Sequence, residues 1–558
     1  MLPVVPALTV ALLLLPVAAG LAGTLLPAFG ILPAIGRAAP GLDAFRSLLD
    51  WPGLAAASRL SLVTGLAATA LSLAVTALIL ASWSGTRVFG AIRRALSPLL
   101  SVPHAAAAFG LAFLITPSGW VMRALSPWPS GFERPPDWLV VQDPWGLALV
   151  AGLVAKEVPF LLLMSIAAMG QTDQARALTT ARALGHGREA GWLVAVFPRL
   201  YAQIRLPVYV VLAYSMTVVD VAVILGPNTP STLAVQLVRW MADPDLALRL
   251  QAAAAAALQL GLVLGALALW RALEGAAAAL GRAWIRTGRR GPRDRALRVL
   301  SLGLALVSST AVLAGLGVLA LWSVAALWPF PEAFPDALTG RSWARHGPEL
   351  GAALRQTAVI ALIATLAALA LAIGCLEAEY RHGLRLRAGG LWLLYAPLLV
   401  PQVAFLPGVQ AAMLAAGLTT GIWAVTAAHL LFVFPYVFLA LGDPWRAWDA
   451  RMGTVARTLG AGPERVLWRV RMPMLLAPAL TAAAVGFAVS VGQYLPTLLV
   501  GGGRVATVTT EAVALAAGGD RRAIGVYALA QTAAALLPFA LALGLPRLVH
   551  RDRRGMRP

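Results

Sequence analysis

The sequence predicts an all-α integral membrane protein with about twelve transmembrane helices, arranged as two parallel repeats of six. Of its 558 residues, 59% are hydrophobic and only 12% are charged, and the mean hydropathy is +0.79. Soluble domains carry about 25% charged residues. Apolar runs of about 20 residues, each long enough to cross a hydrocarbon core of ~30 Å, recur along the chain. A polar, arginine-rich segment also occurs twice, once in each half.

The apolar runs define the predicted spans in order. In the first half they lie near 5–29, 60–82, 97–120, 145–169, 203–226 and 248–274, and in the second half near 299–327, 354–376, 388–413, 421–442, 476–500 and 523–546. The first run has no basic residue before Arg37, unlike a cleaved signal peptide, so we expect it to be a mature span. Prolines interrupt 388–413 at Pro397, Pro401 and Pro407, which predicts a broken or kinked helix.

Arginine-rich loops predict the orientation. These loops are 83–96, 170–202, 275–298, 377–387, 443–475 and the C-terminal tail. The positive-inside rule places all of them, and both termini, in the cytoplasm. The net charge of +20 therefore reflects membrane topology, and the chain offers no basic soluble face for nucleic acid. The predicted domains are two six-span halves, 1–274 and 299–546, a basic linker at 275–298 and a basic tail at 547–558.

The repeated segments are ARALGHGREAGWLVAVFP, 181–198, and ARTLGAGPERVLWRVRMP, 456–473. They align without a gap, and the same residue stands at seven paired positions: Ala181 and Ala456, Arg182 and Arg457, Leu184 and Leu459, Gly185 and Gly460, Gly187 and Gly462, Glu189 and Glu464, Pro198 and Pro473. Each half holds an even number of predicted spans, so both halves enter the membrane in the same direction. Such repeats are related by a pseudo-two-fold axis along the membrane normal.

Each repeated segment predicts two short helices joined by a glycine turn. In the second copy, 454–460 forms one helix, Gly460 and Gly462 end it, and Pro463 suits the first turn of a helix over 463–472. Leu459, Val466 and Leu467 supply apolar anchors. A helix of this kind can lie on lipid headgroups, but its occurrence at the same place in both halves favours docking of a two-fold partner in the cytoplasm.

These segments resemble the cytoplasmic EAA loop of ABC importer permeases of the MetI-like, binding-protein-dependent superfamily. The family's glycine falls at Gly185 and Gly460, with its alanine four residues earlier and its proline thirteen residues later in both copies. Thr179 and Thr454 stand where the family has its leading glutamate. The resemblance implies that the loops couple the chain to a separate cytoplasmic ABC ATPase, a homodimer that binds ATP. The coupling residues it implies are Ala181, Leu184, Gly185, Gly187, Pro198, Ala456, Leu459, Gly460, Gly462 and Pro473.

The resemblance covers essentially the whole chain, as two fused permease halves in the inner membrane. It is closest to the YnjC-type branch, on KEVPF at 156–160, VDVAVILGP at 219–227 and VGQYLPTLLVGGG at 491–503. It further implies import of a substrate delivered by an extracytoplasmic binding protein. An ion-coupled secondary transporter of two parallel repeats is the alternative, and a membrane enzyme or assembly scaffold is a third reading.

Two sets of intramembrane polar residues are candidates for function, because ionisable groups in a bilayer are costly. Lys156, the only lysine, and Glu157 lie in the fourth span; the alternative is a buried salt bridge that locks helices together. Asp220 lies in the fifth span, and Gln493 and Tyr494 lie near its repeat counterpart. By analogy with the family these three residues line the substrate path, where an acid suits a cationic or amine-bearing substrate; alternatively, Asp220 is a structural acid paired with Lys156 or an arginine.

Several kinds of chemistry are not expected. Cys375 is the only cysteine, so the chain has no internal disulfide or cysteine-based metal site. The six histidines are scattered, and no metal site is predicted. The sequence has no GxxxxGK[ST] motif and no catalytic constellation. We therefore expect no enzyme activity and no cofactor in this chain, with ATP hydrolysis on the partner subunit.

Overall fold

The computed structural model describes residues 2–32, 39–170, 173–288, 290, 294–384 and 388–549. In this part of the chain the regular structure is helical, and an isolated bridge pairs Ala325 with Leu338. The predicted all-α fold is confirmed. Several predicted loop residues lie outside the described residues: 171–172 of the loop 170–202, 289 and 291–293 of the linker, 385–387 of the loop 377–387, and most of the tail.

The helices before the midpoint are numbered in chain order. They are α1 Val4–Ala28, α2 Asp43–Leu49, α3 Leu54–Trp83, α4 Arg87–Leu100, α5 His104–Ile115, α6 Trp120–Ala124, α7 Leu147–Met169, α8 Gln174–Ala183, α9 Arg188–Ala195, α10 Phe197–Thr217, α11 Asp220–Leu225, α12 Leu233–Ala242 and α13 Ala247–Arg286.

The remaining helices follow the same numbering. They are α14 Asp294–Val324, α15 Arg341–His382, α16 Ala388–Leu399, α17 Gln402–Ala415, α18 Ile422–Arg446, α19 Ala450–Thr458, α20 Pro463–Val466, α21 Met472–Met474, α22 Leu476–Val491, α23 Leu495–Gly501, α24 Val508–Ala514 and α25 Arg521–Val549. A π-helix, Leu467–Arg471, joins α20 to α21, and a 3₁₀ turn, Leu515–Gly518, follows α24.

The predicted number of twelve spans is not confirmed. Among the described residues, 9 helices are long and apolar enough to cross a membrane, or up to 11 if each of two bent pairs counts as one span. The predicted span 203–226 is divided, because α10 ends at Thr217 and α11 begins at Asp220. The first half of α10 also carries Arg199 and Arg205, which lower its apolar character. The predicted span 97–120 begins later, at His104, and a separate helix, α4, precedes it.

Proline positions explain the main bends. Residues Trp392–Leu399 and Gln402–Ala415 meet at 89°, which confirms the break predicted within 388–413. Pro401 and Pro103 occupy the position just before α17 and α5, where a fixed φ and a missing N–H favour a new helix start. The second bent pair, Pro463–Met474 and Leu476–Val491, turns by 77° and carries the chain from the second arginine-rich segment into the next span.

The first long helix of each half packs against helices of the other half. Helix α1 lies against α17, and α14 lies against α5. Both crossings are glycine contacts: a Cβ on Gly408 would lie 1.9 Å from the Gly20 carbonyl oxygen, and a Cβ on Gly110 would lie 2.9 Å from the Gly315 carbonyl carbon. Backbones approach this closely in membrane proteins only where side chains are absent or small. The two halves of the chain are therefore interlocked.

Two similar helix triplets form the centre of the molecule. Helices α3, α7 and α10 pack on one another before the midpoint, and α15, α18 and α22 do so after it. The predicted linker at 275–298 is helical at both ends, because α13 continues to Arg286 and α14 begins at Asp294. The functional candidates lie at one end of these triplets and between them.

Candidate functional site

Each repeated segment forms a helix, a glycine turn and a second helical part, which is α9 in the first copy and α20 followed by a π-helix in the second. We call residues 170–202 the first repeated loop and 443–475 the second repeated loop. At the end of α8, the N–H of His186 donates to the Ala181 carbonyl (3.1 Å) and that of Gly185 to the Arg182 carbonyl (2.9 Å). At the end of α19, Ala461 donates to Ala456 (3.0 Å) and Gly460 to Arg457 (2.9 Å). Both are Schellman turns, which satisfy the last carbonyls of a helix.

The glycines of each loop have different roles. Gly185 and Gly460 both have φ +82°, the left-handed conformation that disfavours a side chain. Gly187 and Gly462 instead precede α9 and α20 as N-caps, with φ −60° and −68°. The expectation that Gly462 ends its helix through a left-handed turn is therefore wrong, because only the first glycine of each pair needs φ above zero.

The tips of both loops expose apolar side chains. Leu184 is 58% exposed and Leu459 is 83% exposed, whereas Val466 and Leu467 are buried. The predicted strip of Leu459, Val466 and Leu467 is therefore corrected: the last two pack inward, and Leu459 alone faces outward. An exposed leucine at the same position of both turns leaves an apolar tip beside charged neighbours.

The other matched loop positions are structural. Ala181 is buried, and a Cβ on Gly191 would lie 3.1 Å from its Cβ, so alanine there lets α8 and α9 pack closely. Thr179 and Thr454 donate their hydroxyls to the carbonyls four residues earlier, at 2.9 Å and 3.4 Å. The prolines begin the next elements, Pro198 in the first turn of α10 and Pro473 in α21. These contacts fix the frame that presents the tips.

The second repeated loop is joined to the end of α15 by a chain of ion pairs. Its Glu464 Oε1 lies 2.6 Å from Arg381 Nη1, and Arg381 Nε lies 2.7 Å from Glu377 Oε1. Glu377 Oε2 in turn lies 2.6 Å from Arg471 Nη1, in the π-helix of the same loop. Arg471 and Glu377 are only 2% and 4% exposed. Both ends of the loop's second helical segment are thus held on α15.

Aromatic rings enclose the Arg471 guanidinium. Its central carbon lies 3.7 Å from the ring centroid of Tyr380, 4.1 Å from that of Trp448 and 5.1 Å from that of Trp445. Arginine is suited to this position because its planar guanidinium stacks on rings and pairs with a carboxylate at once.

The first repeated loop uses different contacts. Arg188 donates to the Ala81 carbonyl (3.3 Å) and to the Ser84 carbonyl, at the end of α3. The fully buried Glu189 accepts from Arg298 Nε of α14 at 3.2 Å. Burial lowers the pKa of Arg188, and the nearby Arg298 lowers it further while Glu189 raises it. Two arginines, Arg188 of α9 and Arg298 of α14, therefore both interact with one buried carboxylate, that of Glu189.

The start of the second loop is capped by an acid. Asp449 accepts from the backbone N–H of Arg451 at 3.0 Å and pairs with its guanidinium at 2.9 Å. The hydrogen bonds from Arg451 lower the pKa of Asp449. Asp173 caps α8 in the same way, through the N–H of Arg176. The two helices thus begin, as well as end, alike.

Lys156 has a structural role that the sequence did not show. Its ammonium donates to the carbonyls of Leu99 (2.7 Å), Val102 (2.5 Å) and, more weakly, Leu100 (3.4 Å). These carbonyls lie at the end of α4, where a cation compensates the unpaired acceptors and the helix dipole. The alternative of a helix-locking salt bridge is not observed for Lys156 among the described residues.

Glu157 belongs to a polar cluster in the interior. Its Oε1 lies 3.6 Å from His104 Nε2, and the His104 ring stands 5.0 Å from the Tyr214 ring. Asp220 interacts electrostatically with His104 and with Tyr494, and Glu157 does so with Tyr436. We call His104, Glu157, Tyr214, Asp220, Tyr436 and Tyr494 the central polar cluster. Four of its residues precede the midpoint and two follow it, so it lies between the halves.

The predicted path residues lie at two matching helix breaks. Asp220 begins α11 after the break that follows α10, and Gln493 and Tyr494 occupy the break between α22 and α23. Asp220 forms no ion pair within 4 Å among the residues described, so its proposed pairing with Lys156 or an arginine is not observed. Broken helices near the centre of a transporter are where substrate groups and backbone meet.

Several residues of the site carry no obvious signal in the sequence. Tyr214 and Tyr436 were not singled out, because each lies within an apolar run that has no charged residue within one helical turn. Glu377, Arg381 and Arg471 were also not singled out. The i,i+4 spacing of Glu377 and Arg381 could have indicated their ion pair, whereas Arg471 pairs with Glu377 across 94 residues of sequence. No group of three or more metal-binding side chains occurs in the described ranges. A cavity of about 350 Å³ between α1, α17 and α18 has an almost wholly apolar lining and lies apart from the cluster.

Comparisons with known proteins agree with this architecture. Residues 367–555 match the family described as "Binding-protein-dependent transport system inner membrane component". The chain is 32% identical to the inner membrane ABC transporter permease protein YnjC of Escherichia coli, over 92% of this chain and 93% of that protein.

Shorter matches involve single parts of the chain. The spermidine/putrescine transport system permease protein PotC of Haemophilus influenzae is 25% identical over 27% of this chain and 58% of its own length. The molybdenum transport system permease protein ModB of Mycobacterium tuberculosis is 36% identical over 16% of this chain and 33% of its own length. All three relatives are described as permeases of transport systems.

Proposed function

The chain belongs to the family of binding-protein-dependent ABC transporter permeases, and from that premise we propose that its two repeated loops are the docking sites of a cytoplasmic ATPase. The chain is a multi-pass inner membrane protein, and transport rather than catalysis is the activity of its family. Family membership sets aside the secondary-transporter and membrane-enzyme readings. ATP binding and hydrolysis belong, in this proposal, to two copies of the separate partner.

One observation carries the proposal: two Schellman turns with the same φ present a leucine outward at matched positions. A homodimeric partner has two equal grooves, and an isolated apolar tip on each loop suits one groove each. Exposed apolar groups of this kind mark interaction sites. The remaining loop residues, Ala181, Gly187, Pro198, Ala456, Gly462 and Pro473, maintain the frame that holds Leu184 and Leu459 outward.

Docking of a cytoplasmic ATPase requires both loops to lie on the cytoplasmic side of the membrane. The arginine-rich segments then lie inside, with both termini, in accordance with the positive-inside rule. The two halves, 1–274 and 299–546, would be parallel repeats related by an axis along the membrane normal. An extracytoplasmic binding protein would deliver substrate to the opposite face, and the interlocked halves would open alternately to the two sides.

The substrate path would run through the central polar cluster, with Asp220, Gln493 and Tyr494 at its helix breaks. This region holds two carboxylates, Glu157 and Asp220, and one ammonium, that of Lys156, which donates its hydrogen bonds to backbone carbonyls. An excess of carboxylate beside tyrosine rings favours a cationic or amine-bearing substrate. The names of the relatives specify spermidine/putrescine in one case and molybdenum in another, so the argument for charge rests on this chain's own residues.

The docking proposal is tested by placing a charge on the apolar tips. The double variant Leu184→Glu and Leu459→Glu should abolish recovery of the ATPase with the tagged chain in mild detergent, because burying an unpaired carboxylate costs several kcal/mol. The control is Leu338→Glu, at an exposed leucine in the predicted extracytoplasmic loop before α15. Equal ATPase recovery with the double variant and the control would show that the loops are not the docking sites.

A further inference from the structure

The same glutamate in each repeated loop meets an arginine from a different helix. Glu189 and Glu464 are equivalent in the repeat. Glu189 pairs with Arg298 at the start of α14, and Glu464 pairs with Arg381 at the end of α15. Helix α15 follows α14 in the same half of the chain. This glutamate therefore joins the second loop to its own half, whereas in the first loop it joins the loop to a helix that leads into the opposite half.

The ion pairs of the second loop form a closed network with α15. Glu464 at the start of α20 and Arg471 at the end of the π-helix are both linked to α15, through Arg381 and Glu377. The buried pair in this chain resists separation, because removing either charge leaves the other unpaired at low dielectric. The second helical segment of this loop and the end of α15 should therefore move as one body.

The first loop is held by a different set of contacts among the residues that the structure describes. Val196 stands at the repeat counterpart of Arg471 and supplies no charge. Arg188 binds carbonyls at the end of α3, while Arg298 also lies 5.8 Å from the Trp83 ring and thereby brings α14 beside α3. The Trp83 indole donates to Ser301 of α14 at 3.1 Å. The first loop is thus gripped by α3 and α14 together.

We propose that the two loops pass ATPase movement to different helices: the second loop to α15 of its own half, and the first loop, through Glu189 and Arg298, to α14 of the opposite half. The inference rests on the proposed docking function. Arg298 and Arg381 are positioning residues in this account. Because α14 also packs on α5 and α25, a movement of the first loop reaches both halves.

The test follows distances in the complex of the full chain with its ATPase, in lipid nanodiscs. Spin labels are attached in a Cys375→Ser background, which removes the only cysteine. The pair Arg199→Cys and Val299→Cys reports the first loop against α14, and the pair Arg199→Cys and Arg469→Cys reports one loop against the other. All three sites are exposed. Pulsed electron paramagnetic resonance then compares the resting complex with the ATP–vanadate-trapped complex.

The expected result is that trapping changes the distance between loops but leaves that between the first loop and α14 unchanged. Arg298→Gln should make the distance between the first loop and α14 change or broaden on trapping. Arg298→Lys should keep that distance constant, as in the parent chain. Arg282→Gln, at an exposed arginine of α13, is the matched control and should have no effect. A parallel test of the second loop uses Glu464→Gln with labels at Arg469→Cys and Leu384→Cys.

The outcomes are distinguishable. If the ATPase does not co-purify with the label-free chain, or the loops do not move on trapping, the proposed docking function fails. If the loops move and the distance between the first loop and α14 changes in the parent, or stays constant in Arg298→Gln, the docking function stands and this inference is overturned. If the ATPase is lost from Arg298→Gln but not from the other variants, this inference is also overturned, because the Glu189–Arg298 pair would then be needed for docking itself.

Discussion

Gly460 adopts φ +82° at the tip of the second repeated loop, and no atom lies within 4 Å of the position its Cβ would take. A side chain there would meet no neighbour, so its cost comes from the backbone alone. The left-handed conformation costs an L-residue about 1–2 kcal/mol. Gly462, two residues later, has equally open space but φ −68°, which any residue adopts. Because neither site is crowded, a difference between substitutions at these two glycines reports backbone strain alone.

We expect Gly460→Ala to weaken ATPase binding about 5- to 30-fold, the equivalent of 1–2 kcal/mol, by distorting the turn that presents Leu459. Gly462→Ala should bind like the parent chain. Titration of the purified ATPase against the chain in nanodiscs measures both affinities. Equal weakening by the two substitutions would show that the left-handed turn is not what the partner reads.

Arg471 gives a second prediction at the residue scale. Arg471→Met removes one member of a buried ion pair within an aromatic enclosure and should lower the free energy of unfolding by about 3 kcal/mol. Arg469→Met, in the same π-helix but exposed, should change it by less than about 0.5 kcal/mol. Thermal unfolding in detergent compares the two variants. A similar small shift for both would mean that the Glu377 network contributes little to stability.

Two glycine crossings hold the elements of the molecule together, α1 on α17 and α5 on α14. We expect Gly315→Leu to destabilise the fold by about 1–3 kcal/mol, since its side chain would enter the Gly110 backbone. Gly317→Leu lies on the same helix with open space around its Cβ and is the matched control. Size-exclusion profiles after heating report stability. An unaffected Gly315→Leu chain would contradict the crossing.

At the scale of elements, proline and glycine positions predicted local structure well. Pro401 predicted the break between α16 and α17, and Gly185 and Gly460 predicted the turns of the repeated loops. The crossings of α1 and α14 were not predictable, because an apolar helix in lipid gives no sequence signal for which neighbour it packs on. The division of the fifth predicted span was missed for a related reason: its break occurs within the apolar run VVDVAVIL, where residue type gives no boundary.

For the whole molecule, too, local patterns in the sequence were informative and contacts between distant residues were not predictable. Composition and periodicity predicted the membrane class, and the echoed loops predicted two equivalent surfaces, both from local pattern. The partners of charged residues were not predictable, since Lys156 binds carbonyls 54 to 57 residues away and Arg471 pairs with an acid 94 residues away. Glu157 and Asp220 were identified as single residues, but their convergence with His104 and two tyrosines from the other half required the fold.

The most direct test of the account is the composition of the complex purified from native membranes in mild detergent with a tagged chain. The account predicts a P-loop ATPase recovered at two copies for each chain, because each chain presents two docking tips. Quantitative mass spectrometry of the purified complex measures this ratio. A chain recovered without an ATPase, or with one copy that remains after both loop leucines are replaced by glutamate, would contradict the central claim.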